Sequence, residues 1–488
     1  MPVFEFAARD QFINRVSDLE RLAHWWEDST RDALCMYGRR RVGKSWLFRR
    51  FADGKEALLL VANEIAPGPQ FKRFAEQIQG TLGVAPVIDD AAELIRVLYR
   101  LGRNQKLLAV VDELPWLLPK GAGRREILTA ISAVMEEERD DSQTKLVLCG
   151  SIIAQMESLL ATSSPLHGRL QPLDVHPLAF SEAREMLPAN DSAAETVTRY
   201  SVAGGMARYL TEIGTGGSLR SLVCTRVLDR RAPLFNDPRL VLERELREPA
   251  TYFSLLQELS HGEVGIEHLS NVLRTDSPGL TSYMRTLIDM RLISRHQPMG
   301  ADDKGRKHKY RLHDGFIRFW FRFVFPYQED LQSGLQPADL WDGEIKGALS
   351  EHTAQTFEDL CRVYTRRHHG SEAQRVGGWW GDSSPGRPDR TQEEIDIVGL
   401  KGKRVQILGE CKWTSSEMPL SVLTDLRDHK LPAILRSRGV KGASNQGPRI
   451  LLFARSGFGK ALQTAAEDDP SVDLIDVERL VAGLATAA

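Results

Sequence analysis

Residues 33–52 read ALCMYGRRRVGKSWLFRRFA. The apolar run ALCMY (33–37) has the composition of a buried β-strand, and WLFRRFA (46–52) has a helix-like pattern. The segment between them, GRRRVGKS (38–45), fits the pattern G-x-x-x-x-G-K-[ST] at Gly38, Gly43, Lys44 and Ser45. Between a strand and a helix, this pattern is typical of a loop whose backbone N–H groups surround a phosphate.

The loop therefore predicts nucleotide binding with Mg²⁺. Lys44 would neutralise phosphate charge, and the Ser45 hydroxyl would be a magnesium ligand. The bare pattern arises by chance in roughly one chain of this length in fifty, so the flanking strand and helix strengthen the interpretation. We expect ATP to contact Gly38, Arg39, Arg40, Arg41, Val42, Gly43, Lys44, Ser45 and Trp46.

A second apolar run ends in two acids. KLLAVVDE (106–113) closes with Asp112 and Glu113. Asp112 would hold Mg²⁺ from the end of a neighbouring strand, and Glu113 would polarise the water that attacks the γ-phosphate. Alone, this run would be a buried strand with a solvated end. Combined with the loop, it predicts ATP hydrolysis.

Two further polar residues are candidates for the same site. KLVLCGS (145–151) ends in Ser151, which could contact the γ-phosphate or the water, or could simply be a turn residue after a strand. SPLHGRL (164–170) contains Arg169, which could stabilise charge in the transition state. From the residues alone, an ordinary surface arginine is the favoured interpretation of Arg169.

The pattern of apolar runs divides the chain into domains. Strand-like runs that alternate with helical segments predict an α/β fold with a parallel sheet. Three helical patterns followed by two strand-like pieces predict a winged helix, and turn-rich sequence predicts a linker. The predicted domains are an ATPase core (1–180), a helical lid (181–245), a winged helix (246–330), a linker (331–345) and a C-terminal α/β domain (346–488).

The third helix of the predicted winged helix is amphipathic. Its polar face carries Thr281, Ser282, Arg285 and Thr286. The predicted wing, KGRKHKYR (304–311), has five Lys and Arg in eight residues, which suits contacts with DNA phosphates. A charge cluster is usually only a solvated face, and winged helices also bind proteins, so both kinds of partner remain open.

Charged residues also occur within two predicted strands of the C-terminal domain. In EIDIVGL (394–400), alternation predicts that Glu394, Asp396 and Val398 share one face. In RVQILGECKW (404–413), the same rule places Glu410 and Lys412 together on one strand face.

Carboxylates and a lysine in this arrangement are typical of a metal-dependent site that acts on phosphodiesters. Two carboxylates and a lysine on paired strands can hold Mg²⁺ and orient a water for attack on a phosphodiester. Glu358, on an upstream helical segment, could reach the same metal ion. A Glu-x-Lys sequence is common by chance, and an ion-pair cluster at a strand junction is the alternative.

Together these motifs resemble the archaeal-type ATPases, a branch of the AAA+/STAND P-loop NTPases. The resemblance implies a sheet with an extra strand between the P-loop strand and the strand ending in Asp112. It also implies sensor or finger-like roles for Ser151 and Arg169. This chain departs from the family at Ala207, where Gly-Gly-x-Pro-x-Tyr-Leu usually has proline. The resemblance is carried by FINRVSDLERL (12–22), MYGRRRVGKSWLFRRF (36–51), LLAVVDELPWLL (107–118), LCGSIIAQMESLL (148–160), SPLHGRL and YSVAGGMARYL (200–210).

The C-terminal domain resembles the PD-(D/E)XK nuclease fold that accompanies archaeal-type ATPases. A helix Glu, then Asp, then Glu-x-Lys occur in the expected order. The resemblance implies a site of Glu358, Asp396, Glu410 and Lys412. Asp396 and Glu410 would be the chief ligands of Mg²⁺ or Mn²⁺.

Composition excludes several classes of protein. The 488 residues carry 64 Lys and Arg against 66 Asp and Glu, so there is no global basic field and histone-like binding is excluded. Five widely spaced cysteines without a Cys-x-x-Cys pair argue against a disulfide framework or a zinc module. Without a long apolar run or a signal-peptide layout, we expect a cytoplasmic protein with no membrane partner.

The combined prediction is a multidomain ATPase whose nucleotide state repositions a DNA-binding winged helix and a metal-dependent nuclease domain. The expected partners are ATP and DNA, and a homo-oligomer remains open. The alternative is a non-cleaving, ATP-switched regulator whose C-terminal fold binds only DNA or a protein. Protein–protein signalling without nucleic acid is a third interpretation.

Overall fold

The computed structural model describes residues 15–82, 86–214, 216–246, 248–301, 308–384, 390–445 and 447–485. These residues form two compact units that divide between residues 178 and 179. Within the described ranges, no helix is both long and apolar enough to span a bilayer.

The first unit contains a five-stranded parallel sheet in the order β2-β3-β4-β1-β5. The central strands are buried on both faces, because helices cover both sides of the sheet. Its strands are β1 (Ala33–Tyr37), β2 (Ala57–Val61), β3 (Leu107–Asp112), β4 (Thr144–Gly150) and β5 (Gln171–Asp174). Its helices are α1 (Val16–Glu27), α2 (Lys44–Ala52), α3 (Pro67–Leu82), α4 (Ala91–Leu101), α5 (Gly123–Glu138) and α6 (Ile153–Leu160).

The α/β prediction with a parallel sheet is confirmed for this unit. Strand β4 lies between β1 and β3, as the family resemblance implied. Strand β5 was not predicted, because it has only four residues and includes a proline. Proline cannot donate a ladder hydrogen bond, so it is tolerated at this sheet edge.

The second unit begins with a helical segment. Its helices are α7 (Phe180–Ala183), α8 (Ala193–Ala203), α9 (Ala207–Ile213), α10 (Leu219–Val223) and α11 (Asp237–Glu245). Phe180 and Val197 share a buried apolar cluster with Phe357 of a later helix and Phe453 of a later strand. The helices predicted as a lid therefore belong to the same compact unit as the C-terminal sheet.

The next segment contains three helices and a small antiparallel sheet with strand order β6-β8-β7. The predicted helices and the predicted hairpin strands are present, whereas the two-residue β6 was not predicted. The elements are α12 (Pro249–Ser260), β6 (Val264–Gly265), α13 (Ile266–Leu273), α14 (Ser277–Asp289), β7 (Ile293–His296) and β8 (Lys309–Leu312). Residues 302–307, which include most of the predicted basic wing, lie outside the described residues.

The structure corrects the linker prediction for residues 331–345. This stretch is helical, because Trp341 and Ile345 are apolar side chains that become buried. A π-helical turn, Trp341–Ile345, leads directly into the next long helix. The helices of this part are α15 (Gly315–Phe323), α16 (Gln328–Ser333), α17 (Pro337–Leu340) and α18 (Lys346–His369).

The C-terminal sheet has five strands in the order β13-β12-β11-β10-β9. β9, β10 and β11 pair antiparallel, whereas β11, β12 and β13 pair parallel. Its elements are β9 (Arg375–Asp382), β10 (Gln392–Lys401), β11 (Arg404–Lys412), α19 (Leu420–Asp425), α20 (Leu431–Leu435), β12 (Arg449–Ala454), α21 (Lys460–Asp468), β13 (Val472–Asp476) and α22 (Val477–Ala485). This sheet holds the second group of predicted site residues.

A buried arginine links the small sheet to α18. Arg311 of β8 is fully buried and donates to Glu263 Oε1 (3.0 Å) and Asp359 Oδ2 (2.7 Å). Arg311 was predicted to contact DNA phosphates, and Lys309 was part of the same basic cluster. Instead, Lys309 donates to Glu394 Oε1 (3.0 Å). The described members of the cluster are therefore held by acidic side chains of the protein.

We expect Arg311→Met to lower the free energy of unfolding of the second unit by about 3 kcal/mol. This is the lower end of the range for a broken buried ion pair, because Asp359 is partly exposed. Arg322→Met is the matched control, since Arg322 pairs with the mostly exposed Glu351 and should contribute less than about 1 kcal/mol. Urea unfolding of both variants measures the difference, and equal losses would contradict the prediction.

Candidate functional site

The phosphate-binding loop joins β1 to α2, as the motif predicts. At Gly38, a Cβ atom would lie 2.3 Å from the carbonyl oxygen of Val175, so only glycine fits there. Arg41 (φ 71°) and Gly43 (φ 104°) adopt positive backbone angles. Alternating backbone conformations of this kind turn successive N–H groups toward one concave surface, which binds anions.

The Lys44 side chain lies over this loop. Its Nζ donates to the carbonyl oxygens of Gly38 (2.6 Å) and Arg39 (3.2 Å), and the residue is almost fully buried. Val42 is completely buried, so its side chain packs in the core and only its backbone can contact a nucleotide. Trp46, by contrast, is 47% exposed. The ammonium group is thus held where the loop would surround a phosphate.

The two predicted magnesium ligands lie together. Ser45 Oγ is 3.4 Å from Asp112 Oδ2, although 67 residues separate them in sequence. Burial raises the pKa of Asp112, and the backbone N–H of Glu113 donates to its Oδ1 (3.0 Å). A hydroxyl and a buried carboxylate are oxygen ligands of the type that Mg²⁺ prefers, so these residues fit the ion. Held by Ser45 and Asp112, such an ion would neutralise negative charge that develops on the phosphates during hydrolysis.

Glu113 and Ser151 are also brought together. Glu113 has a left-handed backbone (φ 56°), and its carboxylate accepts from Ser151 Oγ at 2.8 and 3.0 Å. Arg40 Nη2 lies 4.0 Å from Glu113 Oε1. The Ser151 hydroxyl therefore orients the carboxylate predicted to polarise water. Strand order explains the contact, because β3 and β4 are neighbours and both end at this edge.

Arg169 is not brought to this group of residues. Its Nη1 pairs with Glu136 Oε2 of α5 (2.5 Å). Within the described part of the chain, no hydrogen bond or ion pair joins Arg169 to the loop. The sequence that corresponds to the family's Gly-Gly-x-Pro-x-Tyr-Leu motif, residues 204–210 of the predicted lid, makes its contacts elsewhere. Gly204 packs against Gly315, and the Tyr209 ring lies 4.0 Å from that of Phe316, so this motif packs helices in the second unit.

The second candidate site lies on β10 and β11. Their antiparallel register pairs Ile397 with Gly409, which brings Asp396 beside Glu410. The backbone N–H of Cys411 donates to Asp396 Oδ2 (2.8 Å), and Lys412 Nζ lies 3.4 Å from Glu410 Oε2. Asp396, Glu410 and Lys412 therefore lie close together.

Negative charge is crowded at this place. Burial, and then the nearby Asp396 carboxylate, raise the pKa of Glu410 to about 7. The same two causes, in the same order, raise the pKa of Glu358 to about 8. Lys430 and Lys412 partly offset this rise for Glu410, and Arg362 does so for Glu358, so a bound cation would relieve only the crowding that remains.

The ligand set is small, however. The described residues contain no group of three or more His, Cys, Asp and Glu side chains arranged to hold a metal ion. Mg²⁺ usually binds through one or two carboxylates and keeps several waters, so Asp396 and Glu410 suffice for one ion.

Two cationic residues of this site were missed. Arg362 Nε donates to the carbonyl oxygen of Asp396 (3.0 Å), and its Nη2 donates to Glu358 Oε2 (3.4 Å). Its spacing of four residues from Glu358 on α18 was an available signal. Lys430 Nζ donates to Glu410 Oε1 (2.7 Å), and no sequence pattern connects these two residues.

The predicted alternation along β10 is corrected. Glu394, Asp396 and Val398 were expected on one face, but the register of β10 against β9 shifts between Ile395 and Val398. Such a bulge interrupts the two-residue period, and Val398 packs in the same apolar cluster as Ile395. Glu394 is bound by Lys309, away from the candidate site.

Two family models match parts of the chain. Residues 12–213 match an ATPase domain described as predominantly from Archaea. Residues 320–422 match a family described as archaeal and bacterial proteins of unknown function. The second match includes Glu358, Asp396, Glu410 and Lys412 of the candidate C-terminal site.

Two individual proteins are also similar to this chain. An uncharacterised protein of Methanocaldococcus jannaschii is 25% identical over 438 residues, covering 87% of this chain and 90% of the relative. An uncharacterised ATP-binding protein of the same organism is 40% identical over 45 residues, 9% of this chain and 76% of the relative.

Solved structures resemble the chain more distantly. The Walker-type ATPase of Pyrococcus abyssi is 18% identical, with a TM-score of 0.49, covering 66% of this chain and 99% of that one. Cdc6p of Pyrobaculum aerophilum is 15% identical, with a TM-score of 0.33, covering 67% of this chain and 98% of that one. The matched model and the geometry of the loop together indicate a P-loop ATPase domain within residues 12–213, similar to domains found predominantly in Archaea.

Proposed function

We propose that this ATPase couples its nucleotide state to DNA binding and to metal-dependent cleavage of phosphodiester bonds. The cleavage proposal rests on one observation, the meeting of Asp396, Glu410 and Lys412 on adjacent strands. Glu358 of α18 adds a third carboxylate close enough to Asp396 for its pKa to rise. Oxygen-rich sites of this kind are suited to divalent cations.

The residues of the C-terminal site would have different roles in cleavage. Asp396 and Glu410 would hold Mg²⁺ or Mn²⁺. When bound, such an ion lowers the pKa of a coordinated water and polarises the phosphodiester. Burial alone would lower the pKa of Lys412, but the Glu410 and Asp396 carboxylates raise it above its usual value. Lys412 would therefore act as a cation that offsets phosphate charge, and not as a general base.

DNA binding is proposed for the segment with the element order of a winged helix. Thr281, Ser282 and Arg285 of α14 are exposed, and small polar residues with one arginine suit a helix that enters a groove. ATP binding and hydrolysis would use Lys44 and Glu113. The coupling of nucleotide state to the second unit is part of the proposal.

A non-cleaving, ATP-switched regulator is the second candidate function. It is favoured by two lysines that donate to Glu410, Lys430 to Oε1 and Lys412 to Oε2. These ammonium groups occupy the oxygens that a metal ion would need. In this function, the C-terminal domain would bind DNA or a partner protein without cutting.

Supercoiled plasmid separates the two candidates. The full chain is incubated with plasmid and Mg²⁺ or Mn²⁺, with and without ATP, and with EDTA as the blank. Metal-dependent nicking or linearisation is expected. Binding of DNA that weakens with salt, without any cleavage, would favour the regulator. If the protein neither binds nor cleaves the plasmid, both DNA functions are overturned and only the ATPase remains.

A further inference from the structure

Arg15 directly precedes α1 and is buried beside the phosphate-binding loop. Its Nη2 donates to the carbonyl oxygen of Val42 in the loop (2.5 Å) and to that of His176 after β5 (3.0 Å). Its Nη1 donates to Asp18 Oδ2 of α1 (3.0 Å), and the Arg15 side chain is 6% exposed. One guanidinium group therefore joins three segments of the first unit: the start of α1, the loop, and the chain after β5.

The local sequence does not explain an arginine at this position. The φ angle of Arg15 is 61°, in the left-handed region that residues with a Cβ atom seldom adopt. Arg15 is also the N-cap of α1, where Ser, Thr, Asp and Asn are preferred, and its side chain does not cap the described first turn. A disfavoured backbone of this kind persists where contacts from the surrounding structure hold it, and the guanidinium group supplies such contacts here.

The contact with Val42 orients the peptide group between Val42 and Gly43. In a trans peptide, the C=O group and the following N–H group point in opposite directions. Because Arg15 holds the Val42 carbonyl on its own side of the loop, the Gly43 N–H points to the other side. Among the residues that the structure describes, none accepts this N–H, so the donor is available for a phosphate oxygen.

The contact with His176 ties the same arginine to the start of the loop. Val175, the preceding residue, donates its N–H to the Tyr37 carbonyl (2.7 Å). Its own carbonyl oxygen lies against Gly38, 2.3 Å from where a Cβ atom would be. The chain after β5 therefore packs on the first residue of the loop, and Arg15 links that residue's neighbours to the far end of the loop.

We propose that Arg15 is a positioning residue for nucleotide binding, which aims the Gly43 N–H at the β-phosphate by holding the Val42 carbonyl. The inference rests on the proposed binding of ATP by this loop. A hydrogen bond weakens steeply as it departs from a straight line, so a peptide group that is free to turn would lose much of its bond to phosphate. Arg15 acts through the backbone, and its effect is on affinity for phosphate and not on the chemistry of Glu113.

The test is the binding of ADP and of AMP to the full chain with Mg²⁺, measured by competition with a fluorescent ADP analogue. Arg15→Met should raise the Kd for ADP by about tenfold, because one aimed hydrogen bond to a charged group is lost. The Kd for AMP, which has no β-phosphate, should stay within about twofold. In ATP turnover, KM should rise by about tenfold and kcat should stay within about threefold. Arg21→Met, at an exposed arginine of α1, is the matched control and should change neither Kd.

The outcomes separate this inference from the proposed function. If the wild type binds ADP and Arg15→Met binds it equally well, the inference is overturned and nucleotide binding stands. Equal losses of affinity for ADP and AMP, which indicate a general loosening, or a fall in kcat at unchanged KM, also overturn it. Failure of the wild type to bind ADP overturns nucleotide binding as well.

Asp18→Asn replaces Arg15→Met if that variant does not fold. It removes the carboxylate that orients the guanidinium group and leaves Arg15 in place. The Kd for ADP should then rise by about threefold, again without a change for AMP. An unchanged Kd for ADP in Asp18→Asn would count against the inference in the same way.

Discussion

Glu113→Gln is expected to reduce ATP turnover by about 100- to 10,000-fold while ATP still binds. Glutamine nearly matches glutamate in shape, but it cannot take a proton from the attacking water. Lys44, Ser45 and Asp112 remain in place, so the groups that hold phosphate and Mg²⁺ are intact. Ser151 loses a charged partner but can still hydrogen-bond the amide oxygen. Phosphate release measures turnover, and a fluorescent ATP analogue measures binding.

Two comparison variants isolate the chemistry. Lys44→Ala should lose binding and turnover together, because its ammonium group is held over the loop, where it would neutralise phosphate charge. Glu126→Gln changes an exposed glutamate of α5 in the same way and should leave turnover within about twofold of wild type. Wild-type turnover in Glu113→Gln would remove Glu113 from the hydrolytic mechanism, and wild-type turnover in both Glu113→Gln and Lys44→Ala would remove the ATPase assignment of this site.

Asp396→Asn should reduce metal-dependent plasmid cleavage by at least about 100-fold. The asparagine oxygen can still accept from the Cys411 N–H, so the strand pairing is retained. The charge that holds the divalent ion is lost. Because Asp396 raises the pKa of Glu410 and of Glu358, both values should fall in this variant. The assay is plasmid nicking under excess Mn²⁺, with Mn²⁺ binding measured in parallel.

Glu394→Gln is the matched control for this prediction. Glu394 lies on the same strand, two residues earlier, but its carboxylate is exposed and accepts from Lys309 (3.0 Å). Cleavage by Glu394→Gln should match that of wild type. Cleavage that persists in Asp396→Asn would place the nuclease activity elsewhere, either in another site or in a contaminant.

Local sequence was sufficient for the central part of the ATPase unit. β1 begins and ends at the predicted residues, and β3 and β4 do so within one residue. Buried parallel strands are continuous apolar runs, and the loop motif has a fixed length, so both are readable without tertiary information. Short edge strands such as β5 and β6 were missed, because a few residues do not establish a period.

The meeting of distant side chains depended on the folded chain. Asp112 reaches Ser45 because β3 and β1 end at the same edge of one sheet, and the motifs predicted that meeting. Lys430 reaches Glu410 through a π turn, which no residue pattern specified. The burial of Arg311 likewise depends on α18, which lies beyond the predicted wing. Hydrophobic periodicity reports which face of an element is buried, but charge pairing between elements depends on register, bulges and helix packing, which arise only when the elements assemble.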